Sequence, residues 1–148
     1  TPGLRMLEKY AVRAGGGRNH RLNLGDGILI KDNHIEALAN SGASLGDVVR
    51  EAVRKAPDTV QVEVEVEDLE QLGQAMDAGA EIVLLDNMDV GLMAKAVELA
   101  KGRALTEASG GITLENVRAV AATGVDIISV GALTHSARAL NVSLDMVS

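Results

Sequence analysis

Along most of the chain, short apolar runs alternate with segments whose apolar residues recur every three or four positions, the pattern of strands followed by helices. Leu4, Leu7 and Ala11 repeat at helical spacing, with Thr1 and Pro2 predicted as N-cap and first helical residue and Gly15 as the stop. Ile28 to Lys31 predicts a short buried strand, and Ser44 the cap of a helix with Leu45, Val48, Val49, Ala52 and Val53 on one face. Gln61 to Glu67 predicts a second strand, Leu69, Leu72 and Met76 a helix closed by Gly79, and Ile82 to Asp86 a third strand. Val90, Met93, Val97 and Ala100 predict a helix ended by Gly102, followed by a strand from Ala104 to Ser109. Thr113 is expected to cap a helix bearing Leu114, Val117 and Val120, and Ile127 to Gly131 is the last predicted strand.

Strands alternating with single helices imply right-handed βαβ units and a parallel sheet, so the class is α/β with about five strands. Spacing alone leaves open whether the sheet is doubly wound or part of a barrel. No linker or low-complexity segment divides the chain, and residues 1–148 are expected to form a single domain. The chain opens inside a fold, without an initiator methionine, so Thr1 is expected to mark a processed or truncated end.

The alternation of Val62, Val64 and Val66 with Glu63, Glu65 and Glu67 puts valines on one strand face and carboxylates on the other. Parallel strands normally read as continuous apolar runs because both faces are covered. The carboxylate face therefore lines a wet, ligand-filled barrel interior or belongs to an exposed edge; the first is favoured, with Glu63 deepest and Glu67 at a helix start. Asp86 closes an apolar strand at its carboxyl end, where barrel enzymes place reactive groups, although Asp86 and Asn87 could equally cap the next helix.

Ser109-Gly110-Gly111 before the Thr113 helix has the form of a phosphate cradle, and Gly131-Ala132 follows one strand later. Glycine at strand ends is also plain loop chemistry, but glycine turns after two consecutive strands match the usual phosphate site of a (β/α) barrel and tip the choice of architecture towards it. Between Gly15 and His34 a glycine run, His20, His34, Arg18, Arg21 and Lys31 surround one apolar strand, an anion site in outline, although glycine-rich turns with flanking arginines are also common on ordinary surfaces. Each histidine also reads as a structural residue bonded to backbone, and three scattered histidines make no zinc set.

Charge fits a small anionic ligand and, equally, a basic first helix with ordinary solvated charges. The formal net charge is −7, yet residues 1–31 carry six of the 14 Lys/Arg against Glu8 and Asp26. A single aromatic, Tyr10, and the acidic balance argue against a nucleic-acid surface. No apolar run approaches the roughly 20 residues that span a bilayer, and no membrane association is expected. A cytoplasmic protein is expected; zero cysteines leave the redox compartment open.

Taken in order, TPGLRMLEKYAV, GGGRNHRLNLGDGILIKDNH, VEVEVEDLEQL, IVLLDN, EASGGITLENV and VGALTHSARALNVSLDM resemble the C-terminal barrel portion of quinolinate phosphoribosyltransferase, from Thr1 almost to Ser148. The resemblance implies a partial (β/α) barrel, lacking the family's N-terminal domain, that transfers phosphoribose from phosphoribosyl pyrophosphate to quinolinate. The products would be nicotinate mononucleotide, pyrophosphate and carbon dioxide. It implies Glu63 and Asp86 near the ribose and Mg2+, and Lys31 as catalytic as well as substrate-binding. His20, Arg21 and Lys31 would hold the quinolinate carboxylates, with Arg18 a weaker candidate. Ser109, Gly110, Gly111 and Gly131 would take the 5′-phosphate, with His135 nearby.

Family members also carry an Arg-Lys-Thr segment before the stretch matching Thr1-Pro2, absent here, so the chain is expected to hold most of the phosphoribosyl site and part of the quinolinate site. A homo-oligomer, dimer or larger, is expected. Two other readings remain: a non-catalytic barrel fragment stabilised as an oligomeric scaffold, and a relative acting on another substrate.

Overall fold

The structure, a computed structural model, describes residues 2–21, 23, 25–39, 42–136, 141–144 and 146. Its elements in chain order are α1 (Arg5–Ala14), β1 (Ile28–Ile30), α2 (Asp32–Ala39), α3 (Leu45–Lys55), β2 (Val62–Val66), α4 (Leu69–Asp77), β3 (Ile82–Asp86), α5 (Val90–Ala100), β4 (Leu105–Ser109), α6 (Val117–Ala121), β5 (Ile127–Ile128) and α7 (Ala132–His135). All strands pair in parallel in one sheet, in the order β1-β2-β3-β4-β5.

That order separates the two architectures left open by the spacing. A doubly wound sheet reverses its strand order at a switch point, whereas successive right-handed crossovers in one direction put every helix on the same face and curl the sheet towards a barrel. No reversal occurs here. The chain forms five consecutive strands of a (β/α) barrel.

The helix-covered face carries Val62, Val64, Val66, Val83, Leu85 and Ala108, packed with Leu45 and Val49 of α3, Leu72, Ala75 and Met76 of α4, and Met93, Ala96 and Ala100 of α5. These side chains are close to fully buried. The register pairs Leu29 with Glu63, Glu65 with Leu84, Leu84 with Glu107 and Asp86 with Ser109, so these residues share the opposite, concave face. The valine–glutamate alternation thus marks the barrel interior, not an edge.

Several helix boundaries depart from expectation. Thr1 lies outside the described residues, and Pro2 is not the first helical residue: Gly3 turns the backbone to φ +78° and α1 starts at Arg5 behind Leu4. Ser44 does cap α3, in a reciprocal box in which its Oγ accepts from the Asp47 N–H at 3.2 Å and Asp47 Oδ2 accepts from the Ser44 N–H at 3.0 Å. Glu67 is not the helix-start residue; Asp68 caps α4 by accepting from the Gln71 N–H at 2.8 Å. Neither Asp86 nor Asn87 caps α5, because Asp89 does so through the Leu92 N–H at 2.9 Å.

Thr113 caps no helix either. Its N–H donates to Asn116 Oδ1 at 2.8 Å, forming a turn that delays α6 to Val117 and leaves Leu114 91% exposed. The short helices α2 and α7 were not anticipated, and the last strand shrinks to Ile127–Ile128.

Leu85 is fully buried between sheet and helices. Leu85→Ala should cost about 3 kcal/mol in urea unfolding, against less than about 0.5 kcal/mol for Leu114→Ala.

Candidate active site

The concave face holds a ladder of polar groups. Towards the carboxyl ends of the strands stand Lys31 just past β1, Glu65 on β2, Asp86 as the last residue of β3, Ser109 as the last of β4 and Gly131 just past β5. Deeper lie Glu63 on β2 and Glu107 on β4, only 6% and 2% exposed. Barrel enzymes use the carboxyl-end rim because loops there can differ without disturbing the core.

At the rim, Lys31 Nζ meets Glu65 Oε2 at 2.9 Å. The Glu65 hydrogen bond holds the Lys31 ammonium above its usual range against a partial burial cost, with Asp86 and Asp32 adding their fields. Lys31, Glu65 and Asp86 therefore form one electrostatic group. Because Asp89 does the capping, the Asp86 carboxylate is left for this face, where its Oδ2 accepts from Asn87 Nδ2 at 2.8 Å.

Asn87 is also the non-glycine residue with positive φ, +50°, among the described residues. Its side chain packs into the Gly110 turn so closely that a Cβ on Gly110 would sit 2.2 Å from Asn87 Oδ1, on a backbone already at φ +89°. Gly111 also has positive φ, +59°, but a Cβ there would meet nothing within 4 Å. Gly110 is thus required for packing, and Gly111 leaves backbone open to a ligand. The helix-dipole argument for this cradle fails, since seven residues after Ser109, at Asn116, the chain has still not entered α6, which is five residues long. What the loop offers is open backbone beside the hydroxyl of Ser109. Gly131 faces His135, whose Nε2 would lie 2.9 Å from a Cβ there, and His135 Nδ1 pairs with Ser136 Oγ at 2.7 Å.

The deep layer is organised by a loop residue. His20, between α1 and β1, places Nε2 3.1 Å from Glu63 Oε2 and 3.3 Å from Glu107 Oε1. Hydrogen bonds to Glu107 and then Glu63 push its pKa up to about 10, although burial opposes the charge. Burial would likewise raise the Glu107 carboxyl, but hydrogen bonds from His20 and from Ser129 Oγ outweigh it and hold it low. Glu63 Oε1 is buried with no partner among the described residues.

The structure does not bring Glu63 and Asp86 together. Glu63 pairs with Ile82, four residues before Asp86, roughly 13 Å along the strand direction. Glu65 is the carboxylate nearer Asp86, two residues from Leu84, its own partner. An all-oxygen pair from Glu65 and Asp86 suits a hard cation such as Mg2+, which prefers carboxylates, phosphates and water. His20, Glu63 and Glu107 also offer ligand atoms within 4.8 Å of one another, but there the imidazolium already serves as counter-ion.

Of the other candidates, Arg21 is half-buried and donates from Nη1 to the Gly27 carbonyl at 3.4 Å, beside His20 in the loop, while Arg18 is exposed. His34 is structural, accepting from the Lys31 N–H through Nδ1 at 3.0 Å. Sequence reasoning missed Glu107 and Ser129 and gave Glu65 no role. The signal for Glu107 was present as an acid inside an otherwise uncharged strand, Leu105–Ser109.

The family model for the quinolinate phosphoribosyl transferase C-terminal domain matches residues 1–145. The chain is 51% identical over 148 residues to the carboxylating nicotinate-nucleotide pyrophosphorylase of Mycobacterium leprae, with 98% of this chain and 50% of that protein aligned. It is 44% identical over 159 residues to the chloroplastic carboxylating nicotinate-nucleotide pyrophosphorylase of Arabidopsis thaliana, with 97% and 45% aligned. The solved nicotinate-nucleotide pyrophosphorylase of Francisella tularensis superposes with TM-score 0.82 at 46% identity, over 90% of this chain and 46% of that one. The chain spans about half the length of the curated relatives it matches. Among the described residues no helix is long and apolar enough to cross a membrane.

A folded-state pKa above the unfolded one stabilises fully below the unfolded value and loses that contribution as pH rises through the folded one. The His20 contribution is therefore complete below 6.5 and fades towards about 10. Urea midpoints should fall between about pH 7 and pH 10, and His20→Asn should flatten that fall. A wild-type slope no steeper than the variant's would contradict the ion cluster.

Proposed function

The chain belongs to the quinolinate phosphoribosyltransferase C-terminal domain family, and on that premise we propose that it carries the phosphoribosyl half, and part of the quinolinate half, of a carboxylating nicotinate-nucleotide pyrophosphorylase. The observation that carries this reading is the single rim group of Lys31, Glu65 and Asp86 beside the open Ser109-Gly110-Gly111 backbone.

In the proposed reaction the pyridine nitrogen of quinolinate bonds to C1 of phosphoribosyl pyrophosphate as the C1–oxygen bond breaks and pyrophosphate leaves with the electron pair. The C2 carboxyl then departs as carbon dioxide, its bonding pair passing to C2, which takes a proton. Positive charge grows on the ribose as pyrophosphate leaves, and Glu65 and Asp86 stabilise it without bonding to it. The same two carboxylates would hold Mg2+, which supplies charge neutralisation for pyrophosphate when bound. Ser109, Gly110, Gly111 and Gly131 would receive the 5′-phosphate, with His135 at its edge.

Lys31, His20 and Arg21 would seat the acceptor's carboxylates, neutralising and orienting the diacid so that its nitrogen faces C1. Glu63, assigned from the resemblance to the ribose and metal, is reassigned to the support of His20. The exposed apolar side chains Met6, Leu7 and Tyr10 of α1 favour a homo-oligomer or contact with another part of a longer chain.

Release of labelled carbon dioxide from quinolinate under single-turnover conditions, with protein in excess, reads even slow conversion. Lys31→Met and Asp86→Asn should each slow it about 100-fold. Variants that keep the wild-type rate would remove both residues from the site. In the same assay Gly111→Ala should weaken phosphoribosyl pyrophosphate more than quinolinate.

A further inference from the structure

His20 lies outside any regular element, on the loop joining α1 to β1, so no backbone ladder fixes its direction. Its ring is instead tied at 3.1 Å to β2 and at 3.3 Å to β4, two strands separated by β3. The imidazole therefore links β2 to β4 across the intervening β3. Ser129, just past β5 on the far side of β4, donates to the same Glu107 oxygen that meets His20 and fixes that carboxylate from a third position.

We propose that Glu107 and Glu63 are positioning residues that clamp His20 across β3, so that its Nδ1–H is presented as a preformed seat, a fixed hydrogen-bond donor, for one carboxylate of the acceptor diacid. The inference rests on the proposed function for the identity of the acceptor, but the clamp itself does not. Nε2 is spent on the two glutamates, which leaves Nδ1, without a partner among the described residues, as the ring nitrogen for a ligand. A protonated ring donates from both nitrogens, whereas a neutral one could not serve two carboxylates and a third.

The other charged groups near the loop are turned elsewhere. Lys9 of α1 donates to the Arg21 carbonyl, Arg21 reaches the Gly27 carbonyl, Asp26 binds Asn23, and Lys31 is paired with Glu65. The Glu63 and Glu107 carboxylates are thus the anions against the ring, and two of them around one imidazolium leave a net negative cluster. That excess holds the proton on His20 at pH values where a free histidine has lost it.

The test compares wild type with Glu107→Gln, which keeps the side chain's shape, and with the milder Ser129→Ala. Two readouts are needed: the pH titration of the His20 ring by NMR, and calorimetric binding of quinolinate and, separately, of phosphoribosyl pyrophosphate with Mg2+. Wild-type His20 should stay protonated through neutral pH and bind quinolinate with little change between about pH 6 and pH 8. In Glu107→Gln the ring should titrate near neutrality and quinolinate binding should weaken about tenfold over the same interval, with recovery at low pH. Phosphoribosyl pyrophosphate binding should change less than about twofold, which a merely destabilised fold would not give.

A His20 that titrates like a free histidine in a wild-type protein that binds quinolinate would overturn the clamp and leave the proposed function standing. A protonated His20 in a wild type that binds phosphoribosyl pyrophosphate but no quinolinate would overturn the seat and the acceptor together. Should Glu107→Gln not fold, Ser129→Ala carries the same expectations at smaller amplitude, and an unshifted His20 there would count against the proposal.

Discussion

The structure depends on how it manages carboxylates inside a parallel sheet. Glu63, Glu65, Asp86 and Glu107 all project from the concave face, and two of them are almost fully buried. An unpaired buried carboxylate costs several kcal/mol, so such a face persists only with counter-charges of fixed geometry. His20 supplies one at depth and Lys31 another at the rim. Breaking either pair by removing the cation is costlier than never having built it, which makes the arrangement a commitment to the site more than a source of stability.

Everything around that face keeps it clear. Helix capping is taken by Asp68 and Asp89, side chains one or more positions past the strand ends, so Asp86 remains with the interior. The Asn87 side chain fills the crook of Gly110, which fixes the loop after β4 against the end of β3. The main apolar cluster lies on the other face, where the valines and Leu85 of the strands meet α3, α4 and α5. The polar ladder consequently divides into a deep layer that holds a cation in place and a rim layer open to anions and hard cations.

What the sequence made legible follows local periodicity. The alternation at Val62–Val66 announced both a strand and a wet interior, and the boundaries of β3 and α5 were set by apolar spacing and by Gly79 and Gly102 at positive φ. The Thr113 cap misled because Asn116, three residues on, takes that backbone N–H into a turn. The resemblance put Glu63 and Asp86 together near ribose and metal; only the register, which is set by tertiary pairing, shows them to stand at different depths. The role of His20 was hidden for the same reason, since its partners lie on β2 and β4. Motifs in order showed the family, and geometry was needed to divide the labour among their residues.

The division between the layers is the central claim, and calorimetric titration of the chain with phosphoribosyl pyrophosphate and Mg2+ tests it most directly. Saturable binding that is lost in a Glu65→Gln, Asp86→Asn double variant and kept within about threefold in Glu63→Gln is the result expected if the rim holds the phosphoribosyl ligand and the deep layer holds His20. Loss of binding in Glu63→Gln with the double variant unaffected would reverse the two layers and contradict the account.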